Sequence, residues 1–438
     1  MKALLVPLYF QSGMDAEYKT QLAKLRELLA GEAEILNPRP LGARLPDCDA
    51  VLLPQLLGAA FKQVERLKKI HLPLLALTSE FGTVNMWDWE IVSFLQTEGI
   101  TTFAPYDLDL TRKLCRSLAL KRELAAVRFL VYQDNPGEGM QAEIFKRFYW
   151  WEDRCTRLMK RRFGLTVVKK SFMELAARAK ELADDEALEA WKRWNWPIEG
   201  VSQRALASAL KIYLTVKKDV EADPSIQGVG INCLNESFYS DTTPCLAWSL
   251  LFEEKGLLWA CEADIMSLLT EFIIHRALEA SVMMSNVYPF LMGSAALKHE
   301  RIECFPDVSE PENHLLMVHC GYFGIVPRRS SSEWTLRPKV LRIVNENATA
   351  IDARLPPGPI TLAKLDPTLT RLQIIEGTLE GYVQYPGSDC RNGALIRVAD
   401  GPRLMESFYS HHNLLVPGRR GVELKLMARA LGLDFEAL

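Results

Sequence analysis

Short apolar runs alternate with stretches whose apolar residues recur at helical spacing through residues 1–125, and this alternation constrains the fold more than anything else in the chain. Residues 3–10, 50–57 and 72–77 read as strands apolar on both faces. Residues 17–29, with Leu22, Leu25, Leu28 and Leu29 in step, read as a helix, as do residues 61–69, 88–97 and the basic stretch 109–126. A strand apolar on both faces must be covered on both, and parallel strands need a crossover long enough to be a helix. Alternation of this kind therefore predicts a parallel sheet sandwiched by helices.

A second cycle follows over residues 126–288. Residues 128–133 read as a strand running into the turn sequence Asp134-Asn135-Pro136-Gly137. Helices are expected at 142–163, 171–193, 203–221, 243–254 and 264–284, and strands at 228–233 and 257–261. The aromatics of the first helix (Phe145, Phe148, Tyr149, Trp150, Trp151) read as packing residues. From residue 289 the texture changes. Strand-like runs at 315–320, 335–345, 361–364, 371–376, 380–384, 394–398 and 403–408 are separated by turn residues such as Pro356-Pro357-Gly358-Pro359 and Pro386-Gly387. Such spacing predicts an antiparallel sheet or barrel, closed by a helix at 421–431. The expected class is α/β: two Rossmann-like domains with parallel sheets (1–125 and 126–288), then an antiparallel β-barrel domain with a terminal helix (289–438).

Composition excludes several partners. A net charge of −3 lacks the excess of Lys and Arg that phosphate binding needs, so no nucleic-acid partner is expected. No uninterrupted apolar stretch reaches the ~18 residues of a membrane span, and residues 3–10 lack a small-residue cleavage site after them. Nine scattered cysteines without a C-x-x-C pair argue against a disulfide framework or a thiolate zinc site. A cytoplasmic protein is expected.

The phosphate-cradling glycine motifs and the G-x-S-x-G elbow are absent. The most informative segment is Leu257-Leu258-Trp259-Ala260-Cys261-Glu262-Ala263-Asp264-Ile265, an apolar strand that delivers an acidic pair in front of a helix. Ligands of open α/β sheets bind beyond the carboxyl ends of the strands, which places Glu262 as a base or metal ligand. Asp264 sits where a helix N-cap belongs. Two histidine segments stand out besides. In Ser410-His411-His412-Asn413 at most one imidazole can face a given site if the segment is extended. In Val318-His319-Cys320-Gly321 a polar residue closes an apolar run. Arg328-Arg329 and Arg419-Arg420 could hold an anionic substituent, but read first as surface charge.

Taken together, Cys261-Glu262-Ala263-Asp264-Ile265, His319-Cys320-Gly321, Gly358-Pro359-Ile360-Thr361-Leu362 and His412 followed by Gly418, Gly421 and Glu423 resemble the L-fucose/L-arabinose isomerase superfamily. Thr78-Ser79-Glu80-Phe81-Gly82-Thr83 with Trp87-Asp88 adds to the resemblance. It implies interconversion of an aldose and a ketose through an enediol, an intramolecular oxidoreduction dependent on Mn2+ or another divalent cation. The position of Glu262 then implies a metal ligand that also moves the proton, and His412 a second ligand. His319 corresponds to a further metal-shell histidine of the arabinose branch and is expected here near the substrate, with Glu236 as a further candidate and Trp87 as a weaker one, contributed from a neighbouring subunit. The implied partner is a monosaccharide and the implied assembly a homotrimer or homohexamer. One departure stands out: Pro289-Phe290-Leu291-Met292-Gly293-Ser294 lies where the family carries a second metal-binding carboxylate. His299, Glu300, Glu303 or Glu236 are the acidic or imidazole groups that could replace it. The alternatives are a sugar-binding or regulatory protein on the same fold, and another metal-assisted sugar reaction such as epimerisation or retro-aldol cleavage.

Overall fold

The computed structural model describes residues 1–10, 13–54, 60–77, 86–134, 153–289, 307–383 and 391–438. The chain forms two compact units. The first comprises Met1–Glu123, Arg276–Leu278 and Val422–Asp434, and the second comprises Leu124–His275, Glu279–Gly421 and Phe435–Leu438.

The first unit is built on a parallel sheet of β1 (Ala3–Tyr9), β2 (Ala33–Ile35), β3 (Arg39–Pro40), β4 (Ala50–Leu53), β5 (Leu74–Ala76) and β6 (Thr102–Phe103). Their order is β2-β1-β4-β5-β6, with β3 also on β1. Alternate residues along each strand serve opposite faces. Leu5, Leu52 and Leu75 enter one apolar cluster with Tyr18, Leu22 and Leu25 of the helix Ala16–Leu28. Val6, Val51 and Leu74 enter the other, with Val64, Leu67, Val92 and Leu95. That helix starts where Asp15 accepts a hydrogen bond from the Tyr18 amide at 2.8 Å.

The second unit holds a parallel sheet and a barrel. The sheet is β7 (Arg128–Tyr132), β8 (Thr166–Lys170), β9 (Ile226–Ile231) and β10 (Leu258–Cys261) in the order β10-β9-β7-β8. The barrel strands are β11 (Met283–Pro289), β12 (His314–Val318), β15 (Gly358–Leu365), β16 (Arg371–Val383), β17 (Gly393–Val398) and β18 (His412–Pro417). Between them β13 (Glu333–Pro338) and β14 (Thr349–Arg354) form a separate antiparallel pair. The order β15-β18-β11-β12-β17-β16 returns to β15 through the β15–β16 pairing, so the six antiparallel strands close on themselves. The protein is therefore mixed α/β, with two parallel sheets and a closed six-stranded antiparallel barrel.

Local readings differ from the structure where the apolar pattern is ambiguous. The helix expected over 264–284 ends at Leu278. Glu279 turns into the left-handed region (φ +53°) and donates its N–H to the His275 carbonyl, after which 283–289 is strand β11. The strand expected at 403–408 is a helix, Gly401–Ser407, started by Asp400 accepting from the Arg403 amide and by Pro402 in its first turn. The helix expected over 171–193 is two, Phe172–Glu181 and Asp184–Trp191. Residues 371–383 form one bulged strand rather than two. Strands β8 and β14 and the helix Cys233–Ser240 carry too little periodicity to stand out in the sequence. The aromatic run at 145–151 and the segment 290–306, which includes Met292 and Gly293, lie outside the described residues. Among the described residues no helix is long and apolar enough to cross a membrane.

Candidate active site

In the second unit, the site grows from the carboxyl end of β10. Glu262 and Ala263 follow the strand, both in the left-handed region (φ +55° and +54°). Such a conformation costs non-glycine residues about 1–3 kcal/mol each and persists only where the surroundings enforce it. Here the Ala263 N–H donates to the Ile231 carbonyl at 3.0 Å and the Asp264 N–H to the Cys261 carbonyl at 3.1 Å. Gly230 on β9 makes room for this turn, since a Cβ there would stand 3.2 Å from the Ala263 Cα. The turn leaves the Glu262 side chain buried, 6 % exposed. Asp264 then begins the helix Ile265–Leu278, its Oδ1 accepting the Ser267 amide at 2.9 Å.

The barrel supplies the imidazoles. His412 is the first residue of β18, with its N–H donated to Ser410 Oγ at 3.1 Å. Asn286 on the neighbouring β11 lies opposite it in register, and His319 follows the end of β12, the next strand round. His319 Nδ1 lies 3.4 Å from Asn286 Oδ1, and its ring centroid is 6.3 Å from that of His412.

His412 joins the two halves. Its Nδ1 lies 2.8 Å from Asp264 Oδ2 and its Nε2 lies 3.5 Å from Glu262 Oε1. A carboxylate only accepts, so Nδ1–H donates to Asp264. Asp264 Oδ2 also accepts from Ser267 Oγ at 2.7 Å and pairs with the Lys364 ammonium at 3.2 Å. Lys364 comes from β15, is 2 % exposed, and donates to the Ser267 hydroxyl as well.

Burial and charge compete at each of these groups. Burial alone pushes the Glu262 carboxyl up, but His412, with His319 and His411 behind it, outweighs burial and holds it at about 2. Asp264 is likewise raised by burial and lowered, further still, by Lys364 and His412. Burial lowers His412, and the two carboxylates overcome it and raise the imidazole to about 9. His411, whose ring centroid lies 4.4 Å from that of His412, goes the other way: burial and the His412 charge hold it at about 3. Without a bound cation the carboxylates and His412 are thus charged and His411 is neutral at neutral pH, and a cation held at His412 Nε2 would displace the proton there. The Cys261 thiol at the strand end stays protonated. The Cys233 hydrogen bond, burial and the nearby Cys245 and Cys320 hold Cys261 well above the usual thiol range.

The structure brings together Glu262, His412 and His319 as the sequence led one to expect, and gives Asp264 its expected cap. Asp264 does more than cap, because it also fixes His412. Glu236 lies in the helix Cys233–Ser240, which begins just beyond β9, and Trp87 lies in the helix Met86–Thr97 of the first unit; both side chains fall outside the described residues. His299, Glu300 and Glu303 do too. Among the arginines read as surface charge, Arg328 stands over the Trp196 ring, Arg329 over Phe252, and Arg420 donates to the Pro417 carbonyl.

Sequence reasoning missed Lys364, Asn286 and Asn232. The first two break apolar strand runs, and a polar residue in such a run is the one local signal they carry. Asn232 follows β9, beside the Glu262 turn in the sheet. It is fully buried, and neither amide atom has a hydrogen-bond partner among the described residues. Leaving a buried amide unsatisfied costs about 1–3 kcal/mol, so this position suits a polar ligand or water.

His412 Nε2 and Glu262 Oε1 form a nitrogen–oxygen donor pair, with the other imidazole nitrogen held by a carboxylate, an arrangement that suits a divalent cation without thiolates. Among the described residues no group of three or more His, Cys, Asp or Glu is arranged to hold a metal ion. No protein-family model matches the chain, and no curated protein matches its sequence.

Proposed function

We propose that this protein is a cytoplasmic aldose–ketose isomerase, an enzyme that moves a proton between C1 and C2 of an open-chain monosaccharide through an enediol. The two parallel sheets are read as Rossmann-like layers and the assembly as a homotrimer or homohexamer. The observation that carries the proposal is the convergence of Glu262 Oε1 and His412 Nε2, 3.5 Å apart and buried, from the end of a parallel strand and the mouth of a barrel.

Each residue has a task this chemistry requires. Glu262, ionised and held by its turn, takes the proton from one carbon and returns it to the next. Its burial keeps bulk water from exchanging that proton. His412 and Glu262 would hold Mn2+ or another divalent cation. Such a cation would supply Lewis acidity that favours negative charge developing on the sugar oxygens. Asp264 orients His412 through Nδ1, and His319 and Asn232 offer hydrogen-bonding groups to sugar hydroxyls.

A second reading has an observation of its own. Glu262 and Asp264 are balanced by His412 and Lys364 with no further cation, which suits a sugar-binding protein without catalysis. One experiment separates the readings. The purified protein is assayed for bound manganese and for ketose formation across an aldose panel, with and without EDTA. Turnover abolished by EDTA and by Glu262→Gln supports the isomerase. Tight sugar binding without metal or turnover overturns it in favour of the binding protein, and a product other than the ketose, identified by NMR, points to epimerisation or cleavage.

A further inference from the structure

Lys364 has no place in the chemistry just proposed, yet it is among the most deeply buried charged groups of the second unit. A lysine loses much of its hydration when buried and is retained only where it is paired and hydrogen-bonded. Lys364 satisfies both conditions on one feature, the start of the helix Ile265–Leu278. Its ammonium lies 3.2 Å from Asp264 Oδ2 and donates to the Ser267 hydroxyl, which itself donates to Asp264 Oδ2 at 2.7 Å. The third donor to Oδ2 is His412 Nδ1 at 2.8 Å.

The two strands that carry these cations are neighbours. β15 and β18 pair with Ala363 opposite Leu414, so the next residues along them, Lys364 and Asn413, bring the lysine to the strand position beside His412. The barrel thus offers Asp264 two cations from adjacent strands, of which His412 alone also faces Glu262.

We infer that Lys364 is a positioning residue for the site: by anchoring Asp264 and Ser267 it fixes the carboxylate oxygen that orients the His412 ring, with Nε2 toward Glu262. The inference rests on the proposed cation-binding role of His412 and Glu262 for its consequence, but not for its geometry. Partners that orient a metal-binding histidine carry roughly 10–100-fold in metal affinity. An arginine keeps the positive charge on a bulkier planar head, while a methionine matches the stem but not the charge.

The test uses the full-length protein and two readouts. The first is Mn2+ titrated into metal-stripped protein. The second, which needs no metal, is the low-field proton resonance of the His412 Nδ1–H, assigned by its loss in His412→Asn. Lys364→Met is expected to weaken Mn2+ binding roughly 10–100-fold and to broaden or remove the protected proton, and Lys364→Arg to restore both to within several-fold of the wild type. Should Lys364→Met fail to fold, Lys364→Met/Asp264→Asn removes both buried charges together and is expected to fold without the protected proton. A Lys364→Met protein, or that double variant, which keeps the proton and binds Mn2+ within twofold of wild type overturns the inference. If the wild type binds no Mn2+ while Lys364→Met still loses the proton, the cation-binding reading fails and the positioning role stands.

Discussion

The two parallel sheets arise from the same strand–helix alternation, yet they bury different things. In the first unit the buried polar residues, among those described, are Thr102, Thr111 and Ser117. Each hydroxyl donates to a nearby backbone carbonyl, those of Ile100, Asp107 and Lys113. In the second unit Glu262, Asp264, Glu271, Lys364, His319 and His412 are all buried. A buried charge is costly unless paired, and most of these are paired with one another around a single strand end. Among the described residues the first unit buries hydroxyls that bond to nearby carbonyls, and no charged side chain. The second unit departs from that pattern at the carboxyl end of β10, where Glu262, Asp264, His412 and Lys364 meet.

The contrast should be sharpest for Glu262 and His412. Glu262→Gln or His412→Ala is expected to reduce turnover by about 10²–10⁴-fold. Both should also strip Mn2+ binding, measured by titration, while the circular dichroism of the fold is kept. A variant retaining both activities would dissolve the distinction between the sheets.

The reverse experiment belongs in the first sheet. Leu52 is fully buried there. Leu52→Ala is expected to cost about 2–5 kcal/mol in chemical unfolding, and to leave Mn2+ affinity unchanged below the transition.

Glu271 sharpens the comparison differently. It lies in the second unit, its Oε1 has no hydrogen-bond partner among the described residues, and burial pushes its carboxyl well above the ordinary 4.5 despite the Trp259 backbone N–H. The folded state therefore holds a proton that the unfolded chain gives up. The stabilisation is complete below the unfolded pKa and declines as pH rises toward the folded one, by about 1.4 kcal/mol per pH unit. Glu271→Gln should remove that decline and be the more stable protein at pH 8 by about 1–3 kcal/mol, measured by urea unfolding across pH.

The smallest effect is expected at Asp219, also in the second unit but only partly buried. It accepts from Tyr132 Oη at 2.5 Å and from both terminal nitrogens of Arg178 at 3.0 and 2.7 Å. Burial would raise this carboxyl, but Arg178 and Tyr132 lower it overall. Its contribution is present above the ordinary carboxylate range and is lost as pH falls below it. Asp219→Asn should cost about 1 kcal/mol at pH 7, and that cost should shrink as pH falls through the lowered pKa of Asp219.

Much of this was legible in the chain. Apolar runs marked β1, β4 and β5 of the first sheet and β7, β9 and β10 of the second, and Cys261-Glu262-Ala263-Asp264 marked the place where a strand hands over to a helix. His412 and His319 drew attention because histidine is scarce here. What could not be read was pairing at a distance. Asn286 lies opposite His412, and Lys364 reaches Asp264 from 100 residues away, because the barrel closes in a particular order. No local pattern records that order. The boundary at 279–283 was misread because Met283, Met284 and Val287 suit the face of a helix as well as a strand, and the left-handed Glu279 decided between them.

Closure of the barrel has a consequence for how such a chain can vary. An open sheet absorbs an added residue at its edge, but a ring has no edge in which to hide one. A single insertion within β18 would turn His412 to the other wall and drag β11 and β15 out of step on both sides. Length changes should therefore accumulate in connections such as 339–348, and spare the spans that hold the imidazole and the lysine.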